Sequence, residues 1–255
     1  MLNKNNCIAM KRIFVLLYQL LIWLPVFSVA TLLTALACTI GCALGGERIF
    51  SYYPGKFWSR FACWVTLCPV KVTGREKLQP NQSYIFAANH QGIYDIFLLY
   101  GYLNVPIKWI MKQSLRNLPF IGKACEMAGF IFVDNSSPVA AAKTIREAEQ
   151  RLKKGVSIAI FPEGSRTRTG ELGKFKKGAY QMAIDMKLPV VPVTINGSYQ
   201  VMPRHTLRFT PHRMEMIIHD PIPTENLAAE NIRDAATHVR TLLEESRQTI
   251  ASKLR

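Results

Sequence analysis

Val156-Ser157-Ile158-Ala159-Ile160-Phe161-Pro162-Glu163-Gly164-Ser165-Arg166-Thr167 starts as a run that is apolar but for one serine, then breaks at a proline, a glycine and a string of polar residues. An apolar run of that length without alternation is how a strand covered on both faces of a parallel sheet reads. The same pattern recurs outward in both directions. Residues 70–72, 84–88, 107–111 and 130–133 precede it and residues 190–195 follow, mostly separated by enough chain for a helix. This predicts an α/β domain over residues 70–255, with a mostly parallel sheet flanked by helices. The clearest helix falls at 137–155: Ser137 caps it, Pro138 takes its first turn, and Gly155 closes it. Residues 208–218 read as a β segment. Thr224 reads as the cap of a final amphipathic helix reaching toward Leu254, with Leu227, Ile232, Val239, Leu242 and Leu243 on its apolar side.

Residues 1–69 have another composition. From Ile13 to Gly46 no side chain is charged, and Leu16, Leu20, Trp23 and Phe27 are among the apolar residues that fill the run. Such a segment belongs in a bilayer. As one helix it would reach about 50 Å, beyond a hydrocarbon core of about 30 Å. Pro25, Gly41, Gly45 and Gly46 therefore point to two shorter helices meeting in a bend. Lys4, Lys11 and Arg12 on one flank and Arg48, Lys56 and Arg60 on the other give neither side an excess of positive charge. A hairpin that enters and leaves on the cytoplasmic side of the cell membrane satisfies both flanks. The run is far longer than the roughly 7–15 residues of a signal-peptide core, which argues against cleavage after Ala35-Leu36-Ala37. Phe57, Trp58, Phe61, Trp64 and Val65 beside Lys56 and Arg60 read either as an interfacial anchor or as a helix packed on the following domain.

Of the 255 residues 49% are hydrophobic, which excludes a disordered chain. Lys and Arg number 32 against 17 Asp and Glu, and the net charge of +15 implies an anionic partner. Nucleic acid satisfies the charge but has neither zinc-ligand spacing nor an aromatic RNA-binding block to support it, so membrane lipid is the partner expected. The six cysteines lack C-x-x-C spacing, and neither a zinc site nor a disulfide framework is indicated.

Asn89-His90-Gln91-Gly92-Ile93-Tyr94-Asp95 sits where the apolar run 84–88 ends and a helix should begin. Sheets of this class place their chemistry at such strand ends. An imidazole can take a proton from a hydroxyl, and a carboxylate on its other nitrogen fixes the tautomer and stabilises the cation. The pair is a catalytic triad without its serine, so the nucleophile would be a hydroxyl of the substrate. Taken alone, a histidine and an aspartate five residues apart are weak evidence. After residue 161, Arg166 offers a planar fork suited to a phosphate. Arg168, Lys174, Lys176 and Lys177 extend the basic stretch as an entrance for anionic headgroups. Glu163 in a stretch that draws anions is repulsive to them unless it bonds a substrate hydroxyl or braces its loop.

Four blocks then occur in order: N-H-x-x-x-x-D at residues 89–95, G-x-I-F at 129–132 within a block ending at 135, F-P-E-G-S-R-T at 161–167 and V-P-V at 191–193. With them the sequence resembles the 1-acylglycerol-3-phosphate O-acyltransferase (lysophosphatidic acid acyltransferase) family of glycerolipid acyltransferases. The resemblance implies that His90 is the general base and Asp95 its partner, and that Glu163, Gly164, Ser165 and Arg166 hold the glycerol phosphate. The family's second block ends in an arginine where this chain has Asn135. Either Lys112 or Arg116 supplies the missing cation, or the acceptor is another lysolipid, such as one with an amino-acid head. The resemblance further implies acyl transfer from an acyl-carrier protein or coenzyme A thioester to the sn-2 hydroxyl of lysophosphatidic acid, giving phosphatidic acid in phospholipid biosynthesis. No metal and no nucleotide cofactor is expected. A non-catalytic basic protein that binds anionic membranes is the reading from another class.

Overall fold

Successive side chains of β2 (Ile85–Ala88) serve opposite layers. Phe86 and Ala88 join the apolar cluster beneath the N-terminal helices, and Ile85 and Ala87 join the one beneath the C-terminal helices. The strand is buried at every position, which is why its sequence shows no alternation. The computed structural model describes residues 10, 13–133, 156–224 and 232–253.

Among these, β1 (Val70–Thr73), β2, β3 (Ile107–Lys112), β4 (Ile131–Val133), β5 (Ser157–Ile160), β6 (Val190–Asn196) and β7 (Met214–Ile218) form a seven-stranded sheet in the order β1-β7-β6-β2-β5-β3-β4. The strands from β6 to β4 run parallel. β7 lies antiparallel to β6, and β1 is parallel to β7, so these two strands run against the rest. The expected α/β fold with a mostly parallel sheet is therefore present. The 208–218 segment is a strand only from Met214. Before that, Phe209 is buried against Tyr18 and Trp23. The helix expected at 137–155 lies outside the described residues.

The layer on one face comprises α1 (Ile13–Ala43), α2 (Glu47–Phe50), α3 (Tyr53–Val65), α4 (Tyr94–Tyr102) and α5 (Ile121–Met127). The other face carries α6 (Gly178–Asp185) and, after the one-turn α7 (Ser198–Val201), α8 (Ile232–Lys253). On α8 Ile232, Val239 and Leu243 are buried and Leu242 is partly so, as expected; Leu227 lies outside the described residues. The Thr224 hydroxyl donates to the Leu188 carbonyl at 2.7 Å; the helix start expected just after Thr224 falls on residues 225–231, which lie outside the described residues.

The apolar N-terminus differs from expectation in an instructive way. It is one helix over Ile13–Ala43, long and apolar enough to cross a membrane, in place of two helices bent at Pro25. The turn before the proline is widened: the Leu24 N–H bonds the Gln19 carbonyl five residues back, which removes the clash a proline otherwise makes with the preceding turn. The chain bends only at Gly45, where φ is +87°, and at Gly46. Gly41 is needed for a different reason. The Phe50 ring folds back on it, and a Cβ there would lie 2.1 Å from that ring. One side of α1 docks on the domain through Tyr18, whose hydroxyl bonds the Val65 carbonyl at 2.7 Å, and through buried Ala35 and Cys38. The other side exposes Leu21, Val29, Leu33 and Ile40. The aromatic cluster of α3 divides between the two readings made of it. Trp58 packs inward on Phe27 and Phe97, whereas Phe57 and Trp64 are exposed.

Candidate active site

β2 and β5 are paired with Ala87 opposite Ile160. Continuing that register three residues beyond this pair brings His90 opposite Glu163. The His90 N–H donates to Glu163 Oε1 at 2.8 Å, and the Gly173 N–H donates to Glu163 Oε2, also at 2.8 Å. Both carboxylate oxygens are thus engaged by backbone, and Glu163 clamps the turn after β2 to the loop after β5. Burial pushes its pKa up, against the opposing pull of these two amides. Of the two alternatives for Glu163, the geometry is that of the loop brace.

Asn89 fixes the turn from its other side. Its amide donates to the Ile195 carbonyl at 2.8 Å and accepts the Ile195 N–H at 2.7 Å, extending the pairing of β2 with β6 through a side chain. The chain then enters α4, whose first turn contains Asp95. Asp95 is fully buried. Its Oδ2 accepts from His90 Nδ1 at 2.8 Å and from the N–H groups of Gln91 at 2.6 Å and Gly92 at 2.8 Å. An ionised carboxylate only accepts, so the ring proton belongs on Nδ1 and Nε2 keeps its lone pair. The Phe161 ring lies parallel to the imidazole with centroids 3.8 Å apart and fixes its plane.

His90 lines a cavity of about 890 Å³. Gly164, Ser165 and Arg166 line it too, with Lys112 and Lys176. Gly164 has φ +74°, a shape that favours glycine, and a Cβ there would meet Lys176 Nζ at 2.8 Å. The structure separates the two candidates for the missing cation. Lys112 is at the cavity, whereas Arg116 ion-pairs with Glu126 and is not among the lining residues. Asn135 lies outside the described residues. Arg204 also lines the cavity and donates to the Arg166 carbonyl at 3.1 Å. Sequence reasoning missed it, because nothing in Met202-Pro203-Arg204-His205 marks a site. Away from the cations the walls turn apolar, with Trp58, Tyr100, Trp109 and Phe130 among them.

A histidine–carboxylate pair opening on a cavity that is cationic at one end and apolar elsewhere can deprotonate a hydroxyl carried by an amphiphilic anion. The Acyltransferase family model matches residues 69–196, the stretch that holds every one of these strand-end loops up to β6. The chain belongs to that family. It is 31% identical, over 78% of its length, to 66% of a 1-acyl-sn-glycerol-3-phosphate acyltransferase of Cocos nucifera. To the protein of that name from Saccharomyces cerevisiae it is 32% identical over 82% of its length and 68% of the relative. The crystal structure of the 1-acyl-sn-glycerophosphate (LPA) acyltransferase PlsC from Thermotoga maritima superposes with a TM-score of 0.68 at 26% identity, covering 80% of this chain and 82% of that one. The chain spans about half to two thirds of the length of the curated relatives it matches.

Proposed function

We propose that this chain acylates the sn-2 hydroxyl of 1-acyl-sn-glycerol 3-phosphate at the cytoplasmic face of the cell membrane, giving phosphatidic acid. The observation that carries the reading is the position of His90: held by Asp95 on one nitrogen, it lines the cavity that Lys112, Arg166, Lys176 and Arg204 make cationic. The phosphate of the acceptor binds these cations, and the acyl chains take the apolar walls. His90 Nε2 removes the hydroxyl proton as the oxygen attacks the carbonyl carbon of an acyl-carrier protein or coenzyme A thioester. The tetrahedral oxyanion collapses, the C–S bond breaks, and the imidazolium returns its proton to the departing thiolate. Asp95 stabilises the cation between the two transfers. No nucleophile of the protein and no acyl-enzyme is needed. A soluble thioester approaches from the cytoplasm, and a lysolipid from the bilayer that holds the exposed apolar side of α1.

Four cations at the cavity favour a phosphate over an amino-acid head, with Lys112 in place of the family arginine. The experiment is a matrix of lysolipids against both thioesters, run on purified wild type and His90→Ala. Wild type should use lysophosphatidate, and His90→Ala should lose at least about a thousandfold in kcat while remaining in the membrane fraction. Wild-type rates in the variant would end the catalytic reading. Turnover of amino-acid lysolipids alone would end the acceptor assignment.

A further inference from the structure

At Phe120 an unfavourable backbone and an unfavourable exposure coincide. Its φ of 60° with ψ of −48° is a shape that phenylalanine rarely adopts. The Ile121 N–H closes a three-residue turn on the Pro119 carbonyl at 2.6 Å. Gly122 fixes this turn from behind, since a Cβ there would meet the Arg116 carbonyl at 2.0 Å. The strain gains no burial: the Phe120 ring is 64% exposed, with Leu118 at 43% and Ile121 at 40% beside it. The turn holds three neighbouring apolar side chains outward, which in water is unfavourable and marks a contact surface.

Three further features identify what it contacts. The turn leads into α5, which packs along α1 with Cys38 Sγ 3.6 Å from the Ala124 carbonyl, and α1 itself leaves Leu33, Leu36 and Ile40 exposed. Lys112, Arg116 and Lys123 flank it along the chain, and the acid in that stretch, Glu126, is paired with Arg116 and Lys123. Basic side chains around an apolar tip are the pattern of a segment that passes anionic headgroups. Leu115 and Ile121 also line the active-site cavity, which places the tip at the cavity's edge.

We infer that Leu118-Pro119-Phe120-Ile121 is a wedge that enters the acyl region of an anionic bilayer and opens the cavity to lipids held there. What passes through the opening rests on the acyltransferase reading; insertion does not. The test uses the full chain with phosphatidylglycerol–phosphatidylethanolamine vesicles whose acyl chains carry bromine. Phe120→Trp should show tryptophan quenching beyond that of the parent protein. Phe120→Gly removes the ring while relieving the backbone, so the fold is kept. Its apparent KM for long-chain lysophosphatidate in vesicles should rise roughly tenfold, with kcat and the turnover of a water-soluble short-chain lysophosphatidate unchanged.

Absence of extra quenching at position 120 overturns the wedge. So does a change in its fluorescence on adding acyl-carrier protein, or on self-association without lipid, when vesicles produce none. An unchanged vesicle KM in Phe120→Gly despite quenching overturns the role as an opening. Quenching in a chain that transfers no acyl group leaves the wedge standing and removes the enzymatic reading. Activity without quenching does the reverse.

Discussion

The turn at residues 89–95 and the loop at residues 162–173 meet at the same cavity but are held in opposite ways. The turn gathers its own groups on one atom, Asp95 Oδ2, which collects the imidazole and two backbone amides from within five residues, while Asn89 and Glu163 tie its start to β6 and to the loop. The loop is held by side chains from elsewhere in the chain. Gln91 and Arg247 both donate to the Gly170 carbonyl, at 2.8 Å and 2.6 Å. Arg240 reaches the carbonyls of Leu172 and Gly173, Tyr199 that of Arg168, and Arg204 that of Arg166. The His90–Asp95 contact is therefore local in sequence, and the supports of the loop are long-range. Damage to the turn should appear in kcat, and damage to the supports of the loop in KM.

The sharpest way to break this contrast is Asp95→Asn. An amide oxygen can still accept, but the nitrogen competes for the wrong tautomer of His90, and kcat should fall by about 10³–10⁴ with KM for lysophosphatidate nearly unchanged. Steady-state kinetics on folded protein decide it, and a loss carried by KM would erase the distinction.

Glu163→Gln strikes the joint between the two regions. One of the two backbone amides, of His90 or Gly173, loses its acceptor and faces an N–H group, at a cost of about 1–3 kcal/mol. A roughly 10- to 100-fold fall in kcat/KM shared between kcat and KM is expected, with a lower Tm in thermal melts. A pure KM effect would instead assign Glu163 to the substrate.

Arg247→Ala tests the long-range support by itself. The Gly170 carbonyl retains Gln91, so the loop should loosen without collapsing. KM should rise by about three- to tenfold with kcat within about twofold, and Arg247→Lys should recover part of the loss. A kcat effect as large as that of Asp95→Asn would make the two regions one unit.

The smallest effect lies away from both. His219 accepts or donates through Nε2 to buried Thr194 at 2.8 Å, and burial, helped by Lys77, lowers its pKa to about 4. Between pH 6.5 and 4 the unfolded chain binds this proton and the folded chain does not. Stability therefore falls with pH across that window, by up to about 3 kcal/mol. His219→Gln should flatten the stability profile there in denaturant melts and leave the pH dependence of kcat alone. A shift in the kcat profile would mean that acid acts on the dyad through the fold.

The local side of the contrast was legible. An apolar run ending before Asn89 and an acid five residues after His90 announce a strand end and a histidine–carboxylate contact, and in the structure the strand ends at Ala88 and Asp95 Oδ2 lies 2.8 Å from His90 Nδ1. Gly164 was singled out only through its block; that it takes a left-handed backbone, which favours glycine, came from the structure. The role of Glu163 could not be read in advance, since it follows from the pairing of Ala87 with Ile160, and strand register is not written in either strand. The choice between Lys112 and Arg116 was equally hidden. It turns on Glu126, which removes Arg116 from the site. Pro25 misled because a proline in a helix was read as a bend, whereas a widened turn before it absorbs the clash.

Residue order was thus enough for the strands, the long apolar N-terminal segment and the contact of His90 with Asp95, because each depends on periodicity, composition or a few bonds between near neighbours. Which cations face the cavity, which acid clamps two loops, and where apolar residues are left outward at Phe120 depended on the assembled molecule. Those outcomes come from side chains tens to more than a hundred residues apart competing for the same few atoms, and that competition exists only once the sheet has brought them within reach.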